Sequence, residues 1–253
     1  MTETTTAPSA SEKTLTVLAA ALEHSRFTDI VSASGLAKAT VHRILATLVA
    51  NDFIAGDGDS GYRAGPGLLS IAGRALASVD ITQIARPIVD RLVAEVDCTV
   101  HVGVATDSEI VYLIRRDASK PYQMKSRVGH GMPLHCTGMG KAVMASWPAE
   151  RVAEFASRVG LPARTPQTIT TLDALNAELD RVRERGFSTD LGENEVGTVC
   201  VSAGIQDHTG AVTHGLSISS IALEHPGTSI EQYADAVIST AEEISRLMGA
   251  PAR

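Results

Sequence analysis

A short cationic and hydrogen-bonding face is the first group of residues in the sequence with an evident chemistry. Apart from one alanine, the residues that contribute to it are of three kinds, namely hydroxyls, an imidazole and two cations, and no carboxylate follows until Asp52. Groups of these types contact phosphates and base edges in the DNA major groove. The face consists of Lys38, Ala39, Thr40, His42, Arg43 and Thr47.

The spacing of apolar residues predicts the helices that position this face. One stripe recurs at i, i+3, i+4 and i+7, which is typical of a helix. Upstream, Thr28 is suited to cap a shorter helix, and Gly35 supplies a left-handed turn between the two. The pattern predicts a helix-turn-helix, whose second helix enters the major groove. From these residues alone, a helical hairpin with a solvated outer face is an equal alternative. The stripe is Val41, Ile44, Leu45 and Leu48.

The flanking segments extend this unit to a winged helix-turn-helix. A helix from Ser11 precedes it, and two short strands around a glycine-rich turn follow it. Arg63 on the second strand would reach a phosphate or the minor groove, or else be a solvated strand residue. We expect a disordered tail at 1–10, the winged domain at 11–66, a linker helix at 67–80 and a second domain at 81–253.

The second domain has the pattern of an α+β fold with an antiparallel sheet. Segments rich in β-branched residues alternate with turn residues, and amphipathic helices surround them. The predicted strands are 99–106, 109–116, 122–128, 197–206 and 211–220, and the predicted helices are 81–96, 137–146, 149–159, 172–185 and one from Ile230 to Met248.

Composition limits the classes of protein that fit. The 253 residues, 44% of them hydrophobic, suffice for two cores, and neither a membrane-spanning run nor a signal peptide is evident. We therefore expect a cytoplasmic protein without a membrane partner, with three reduced cysteines. The net charge is −7, and residues 1–64 hold five basic and seven acidic residues. DNA binding therefore requires a concentrated patch, doubled by dimerisation.

A second group of residues could hold a small acid. Gly138, Met139 and Gly140 begin a predicted helix, and backbone N–H groups there would cradle a carboxylate. Ser217 and Ser219 share one face of a strand, whose hairpin partner carries Cys200. Four methionines nearby would line an apolar pocket or fill the core: Met124, Met132, Met139 and Met144.

Two other chemistries deserve comparison. His135 with Cys136, or Cys200, could serve a thiol enzyme, but neighbouring residues in a strand or loop usually point apart. His130, His135 and Cys136 could bind zinc, although no second cluster accompanies them. The sequence has no phosphate loop, nucleophile elbow or zinc-protease motif. We therefore expect no catalytic residue, no bound metal and no cofactor.

Four segments together resemble the IclR family of bacterial transcriptional regulators, over nearly the whole chain and in the family's order. The resemblance implies a winged DNA-binding domain and a GAF-like effector-binding domain, assembled as a homodimer or homotetramer on double-stranded operator DNA. The segments are GLAKATVHRILATLV, GYRAGPGLLSIAGRAL, RVGHGMPLHCTGMGKAVMA and GFSTDLGENEVGTVCVSAGIQDHTGAVTHGLSISS.

The same resemblance implies that specific positions hold a small organic acid. Asp190 would accept a hydrogen bond from a donor on that acid, or else serve as a turn residue. Cys200 could equally fill the core, and the two serines could face solvent. The implied positions are Gly138, Met139, Asp190, Cys200, Ser217 and Ser219.

The sequence departs from the family pattern at two places, and it also fits one competing function. Ala39 stands where the family commonly has serine, so one polar DNA contact is missing. Ser202 to Ile205 lack a proline common at one pocket wall. The predicted function is regulated DNA binding, with the effector an aliphatic or aromatic carboxylate. The alternative is a ligand-binding module or thiol enzyme without sequence-specific DNA binding.

Overall fold

Three helices open the chain and pack around a small apolar core. They are α1 (Ala10–Glu23), α2 (Phe27–Ser34) and α3 (Lys38–Ala50). The structure is a computed structural model that describes residues 8–57, 60–121 and 124–251. Val17, Ile30 and Val41, one from each helix, are fully buried. The predicted apolar stripe of α3 therefore faces the core.

The start of α1 differs from the expected disordered tail. Ser9 and Glu12 form a capping box, in which each side chain accepts a hydrogen bond from the other's backbone N–H. The helix consequently begins at Ala10. The predicted tail is too long at this end, and its residues 1–7 lie outside the described residues.

The turn between α2 and α3 has the predicted glycine but not the predicted cap. Gly35 ends α2 in the left-handed region, with φ 65°. Thr28 is the second residue of α2, and Arg26 occupies the cap position without a side-chain hydrogen bond. The prediction that Thr28 caps α2 is wrong, because the helix begins one residue before it.

An antiparallel hairpin completes the wing. Strand β1 (Ile54–Asp57) pairs with β2 (Gly61–Ala64), so that Ala55 lies opposite Arg63. The predicted turn residues at positions 58 and 59 lie outside the described residues. Helix α4 (Pro66–Ala77) follows, and its proline stands at the start, where a missing N–H costs no hydrogen bond.

Gly73 in α4 allows a test of the local backbone. Nothing lies within 4 Å of the position that its Cβ would take. We expect Gly73→Ala to raise the free energy of unfolding by about 0.5–1 kcal/mol, because alanine loses less backbone entropy on folding. Gly35→Ala is the control and should lower it by about 1–2 kcal/mol, since Gly35 has equally open surroundings but positive φ. Thermal unfolding measures both, and equal shifts would contradict this account.

The chain divides between Val79 and Asp80 into two compact units, and α4 belongs to the first. The second unit is built on a six-stranded antiparallel sheet in the order β5-β4-β3-β8-β7-β6. With its surrounding helices, this sheet confirms the predicted α+β fold. The strands are β3 (Thr99–Ala105), β4 (Glu109–Arg116), β5 (Gly131–Pro133), β6 (Ser188–Leu191), β7 (Thr198–Gln206) and β8 (Val212–Ile221).

Helices cover the two faces of this sheet differently. On one face, valines and isoleucines of the central strands pack against α5 and α9. On the other face, glycines replace larger residues, and a Cβ at Gly215 would lie 2.8 Å from the Met139 side chain. This face therefore lets α6 approach closely, with α7 and α8 behind it. The helices are α5 (Ile81–Val96), α6 (Gly138–Met144), α7 (Ala149–Val159), α8 (Leu172–Arg185) and α9 (Ala234–Leu247), with a 3₁₀ turn at Ser229–Tyr233.

Two edge strands differ from the sequence-based expectation. Residues 124–128 of the predicted strand 122–128 are not in a strand, and Tyr122 and Gln123 lie outside the described residues. The edge of β4 pairs instead with β5, where Glu109 lies opposite Pro133. At the far edge, the short polar strand β6 was not predicted.

Among the described residues, no single helix is long and apolar enough to cross a membrane. Helices α4 and α5 reach that length and hydropathy only when taken together across the break between them.

Candidate functional site

The predicted DNA-contacting residues lie on one exposed face of α3 and on the wing. Lys38, Ala39, His42, Arg43 and Thr47 are exposed, and Thr40 is half-buried. The intervening apolar residues of α3 are buried, so the polar side chains point away from the core. Arg63 is exposed on β2. The first unit thus presents cationic and hydrogen-bonding groups outward from a rigid helix.

The start of α3 adds backbone donors to this face. Ala37 occupies the cap position and has no side-chain acceptor. The N–H groups of Thr40 and Val41 bond to the Ala37 carbonyl. The earlier N–H groups of the helix have no acceptor among the described residues. Such free N–H groups at a helix start are suited to a phosphate.

The second unit encloses a cavity of about 210 Å³. Its walls are the glycine-containing face of the sheet, the start of α6, the turn 190–195 and the segment 124–130. The segment 124–130, which replaces a predicted strand, lines one side. The sequence-predicted binding residues that meet there are Gly138, Met139, Asp190, Cys200, Ser217 and Ser219.

Strand register explains why these residues meet. Asp190 pairs with Cys200, and Cys200 with Ser219, so the three form a row across β6, β7 and β8. Two positions along, Ser217 pairs with His101 of β3. Residues two apart on a strand share a face, so both rows face the cavity.

The start of α6 supplies the other polar wall. Thr137 caps the helix, its hydroxyl accepting the Gly140 N–H at 3.2 Å. The N–H groups of Gly138 and Met139 have no acceptor among the described residues, and both residues line the cavity. Gly140 does not line it, because it packs on Leu134, whose carbonyl oxygen would lie 2.2 Å from an added Cβ. Its role is close packing.

Asp190 holds a turn and also lines the cavity. Its Oδ1 accepts the N–H of Glu193 at 2.7 Å and that of Asn194 at 3.4 Å, so it does hold a turn. It also lines the cavity and is 2% exposed. Burial, with the nearby Glu193 carboxylate, raises the pKa of Asp190 to about 7. The carboxyl is therefore partly protonated at neutral pH.

Two further cavity groups, Cys200 and His101, are uncharged at neutral pH. Burial raises the pKa of Cys200 to about 12, and Cys200 is partly exposed because it faces the cavity. Burial and, to a smaller extent, the nearby Arg115 together lower the pKa of His101 to about 4. Neither group is suited to nucleophilic or general base chemistry near pH 7.

His135 and Cys136, the pair considered for catalysis or zinc, each have another polar partner. His135 Nε2 lies 3.1 Å from the Pro162 carbonyl oxygen, so this nitrogen already has a hydrogen-bond partner. Burial raises the pKa of Cys136 to about 12. No group of three metal-ligating side chains occurs in the part of the chain that the structure describes.

The methionines divide between the two expected roles. Met124, Met132 and Met139 line the cavity. Met144 is fully buried in the core beside α7 and α8. The cavity therefore has an apolar part opposite its polar rows.

Sequence reasoning missed His101, Tyr112 and Lys141. His101 and Tyr112 line the cavity, with ring centroids 4.7 Å apart. The signal for His101 was its place in the alternating run Val100 to Val104, where it faces away from the valines. Lys141, 1% exposed, pairs with Glu193 and, at 3.4 Å, with Glu178. It thereby anchors the turn that carries Asp190.

An exposed recognition helix with a wing, joined in one chain to a domain with an enclosed polar cavity, defines a helix-turn-helix regulator with a separate second domain. Matches to known protein families identify the family to which this regulator belongs. Residues 12–58 match the IclR helix-turn-helix domain, and residues 73–246 match the bacterial transcriptional regulator IclR C-terminal domain. The chain belongs to the IclR family.

Individual relatives agree with this assignment. The transcriptional regulator KdgR of Escherichia coli is 32% identical over 85% of this chain and 82% of its own length. The transcriptional repressor AllR of Salmonella typhi is 29% identical over 89% and 83%. The crystal structure of Thermotoga maritima IclR has a TM-score of 0.65 at 29% identity, covering 94% of this chain and 97% of that one. The protein is a DNA-binding transcriptional regulator and not an enzyme.

Proposed function

We propose that a small organic acid binds in the cavity of the second unit and changes the affinity of the protein for its operator. The observation that supports this is the convergence of polar groups on an enclosed space. Free N–H groups at Gly138 and Met139 and hydroxyls at Ser217 and Ser219 meet there. All four can donate hydrogen bonds to a carboxylate.

The size and lining of the cavity favour a metabolite-sized acid. Its volume of about 210 Å³ is below the roughly 300–1,000 Å³ of sites for drug-sized ligands. The methionines offer an apolar surface to an aliphatic or aromatic group. Asp190 pairs with a hydroxyl or carbonyl of the same ligand, accepting when ionised and donating when protonated.

In the first unit, the proposed DNA contacts are those of the exposed face of α3 and the wing. Arg43 and Lys38 supply charge, and Arg63 extends the contact to the wing. The acidic balance of the region argues for a homodimer or homotetramer, which brings two such faces to one operator. The protein would bind this operator DNA in the cytoplasm. The full set is Lys38, Ala39, Thr40, His42, Arg43, Thr47 and Arg63.

Regulation follows from linkage between the two sites. An acid that binds one arrangement of the paired chains better shifts the population toward it, and half-site spacing changes with it. The coupling free energy can have either sign, so both activation and repression fit this architecture.

Fluorescence anisotropy tests this proposal directly. The full chain is titrated on DNA from just upstream of its own gene and on operators selected from random pools. Propionate, lactate, pyruvate, benzoate and 4-hydroxybenzoate are then added. We expect tight, competitor-resistant binding that at least one acid shifts. A double variant, Ser217→Ala with Ser219→Ala, should bind the same DNA without responding. Binding that no acid changes would contradict the effector proposal.

A further inference from the structure

A chain of hydrogen bonds runs along the cavity wall and connects three elements. Ser217 Oγ lies 3.1 Å from Ser219 Oγ on β8. Ser219 Oγ lies 3.3 Å from His101 Nδ1 on β3. The other ring nitrogen, Nε2, lies 2.7 Å from Ser126 Oγ in the segment between β4 and β5. His101 therefore joins the serine pair of the cavity to the segment that lines its side.

The ring of His101 is neutral at physiological pH. It is 2% exposed and packs against the Tyr112 ring at an interplanar angle of 38°. Burial and the Arg115 guanidinium hold the pKa of His101 down, at about 4, against the smaller opposite effect of Asp117. A neutral imidazole has one N–H donor and one acceptor nitrogen, so this series of hydrogen bonds can run in either of two directions.

The two directions present different groups to the cavity. When Nδ1 carries the proton, it donates to Ser219 Oγ, and Nε2 accepts from the Ser126 hydroxyl. The Ser219 hydroxyl is then free to donate toward a ligand. When Nε2 carries the proton, it donates to Ser126 Oγ, and Nδ1 accepts from the Ser219 hydroxyl. Ser219 then offers only a lone pair to the cavity.

We propose that His101 is the specificity-determining residue of the cavity, because its tautomer decides whether Ser219 donates to a carboxylate or accepts from a ligand hydroxyl. This inference rests on the proposed function and deepens it. A carboxylate has no proton to donate, so a hydrogen bond between it and the Ser219 hydroxyl requires Nδ1–H. A ligand hydroxyl at the same place favours Nε2–H. The site therefore distinguishes a ligand group that only accepts a hydrogen bond from one that donates a hydrogen bond.

Long-range ¹H–¹⁵N spectroscopy of the full chain with ¹⁵N-labelled histidine tests the tautomer. The probe is whichever of propionate, pyruvate and benzoate, the acids of the panel that lack a hydroxyl, gives the largest thermal shift. The His101 signals among the eight histidines are assigned from their absence in His101→Phe. With an acid that lacks a hydroxyl, such as propionate, pyruvate or benzoate, Nδ1 should carry the proton. A proton on Nε2 in that complex would overturn the inference.

Affinity measurements supply a second readout. His101→Phe keeps an aromatic ring against Tyr112 but removes both nitrogens. We expect the bound acid to lose about ten- to a hundredfold in affinity, because Ser219 loses the partner that orients it. His130→Phe is the control, since His130 also lines the cavity but is exposed, and it should lose less than threefold. Equal losses in the two variants would count against the role of His101.

The outcomes separate this inference from the function on which it rests. If no acid of the panel perturbs any cavity signal or the melting temperature, the effector proposal itself fails. If an acid perturbs the cavity signals while the protonated nitrogen of His101 is Nε2, only the present inference fails. Both variants should keep a cooperative thermal unfolding transition without acid, which shows that each is folded.

Discussion

Replacing Arg43 by alanine should weaken binding to a selected operator by about 5- to 150-fold, or about 1–3 kcal/mol. Arg43 is exposed on α3, and a guanidinium in the major groove reads guanine through two hydrogen bonds. The loss should fall on the specific operator, with a smaller loss on unrelated DNA. Anisotropy titrations with both DNAs measure the ratio of the affinity for the operator to the affinity for unrelated DNA.

Two variants sharpen the interpretation of that result. Arg74→Ala removes the same charge from α4 in the same unit and should leave the operator preference unchanged. Lys38→Ala should weaken operator and unrelated DNA alike and reduce the salt slope by about 1, as expected of a phosphate contact. If Arg43→Ala behaved as Lys38→Ala does, Arg43 would contact a phosphate and not a base.

The affinity for the effector acid should fall as the pH rises from 6 to 9. The pKa of Asp190 is about 7 in the free cavity, mainly because the group is buried. An anionic ligand favours the protonated carboxyl beside it, so binding takes up a proton. Affinity is therefore highest below the pKa and declines above it, at most about tenfold per pH unit. Between pH 7 and pH 9 the loss is at most about fiftyfold.

The variant Asp190→Asn isolates this effect. Asparagine resembles the protonated acid, so the variant should bind the acid about as tightly at pH 8 as at pH 6. Asp207→Asn, in a turn where Thr209 hydrogen bonds lower the pKa of the aspartate, is the control and should keep the wild-type slope. Calorimetric titrations at several pH values measure all three proteins. A flat wild-type profile would remove Asp190 from the ligand contact.

Local patterns predicted the first unit well because its elements are determined by neighbours in sequence. The apolar stripe of α3 and the glycine turn at Gly35 are short-range signals. The error at Thr28 is also local in sequence, since a helix start can move by one or two residues without a change in the apolar pattern. The Ser9 capping box was visible in sequence as serine followed three residues later by glutamate.

The cavity was harder to predict because long-range pairing creates it. Cys200, Ser217 and Ser219 could be assigned to one face, but His101 joins them only through the register of β3 with β8. Strand β6 is short and polar, and only its pairing with β7 identifies it as a strand. The buried ion pair of Lys141 with Glu193 likewise connects residues far apart in sequence.

Thermodynamic reciprocity tests the central claim most directly, namely that one acid in the cavity controls operator binding. Linkage requires that an acid which changes operator affinity by some factor has its own affinity changed by the operator by the same factor. Calorimetric titration of the acid into the free protein and into the protein–operator complex measures this. We predict that the ratio of the two dissociation constants for the acid equals the factor by which the acid changes operator affinity in the anisotropy titrations. An acid that binds the free protein and the complex equally well would contradict the account.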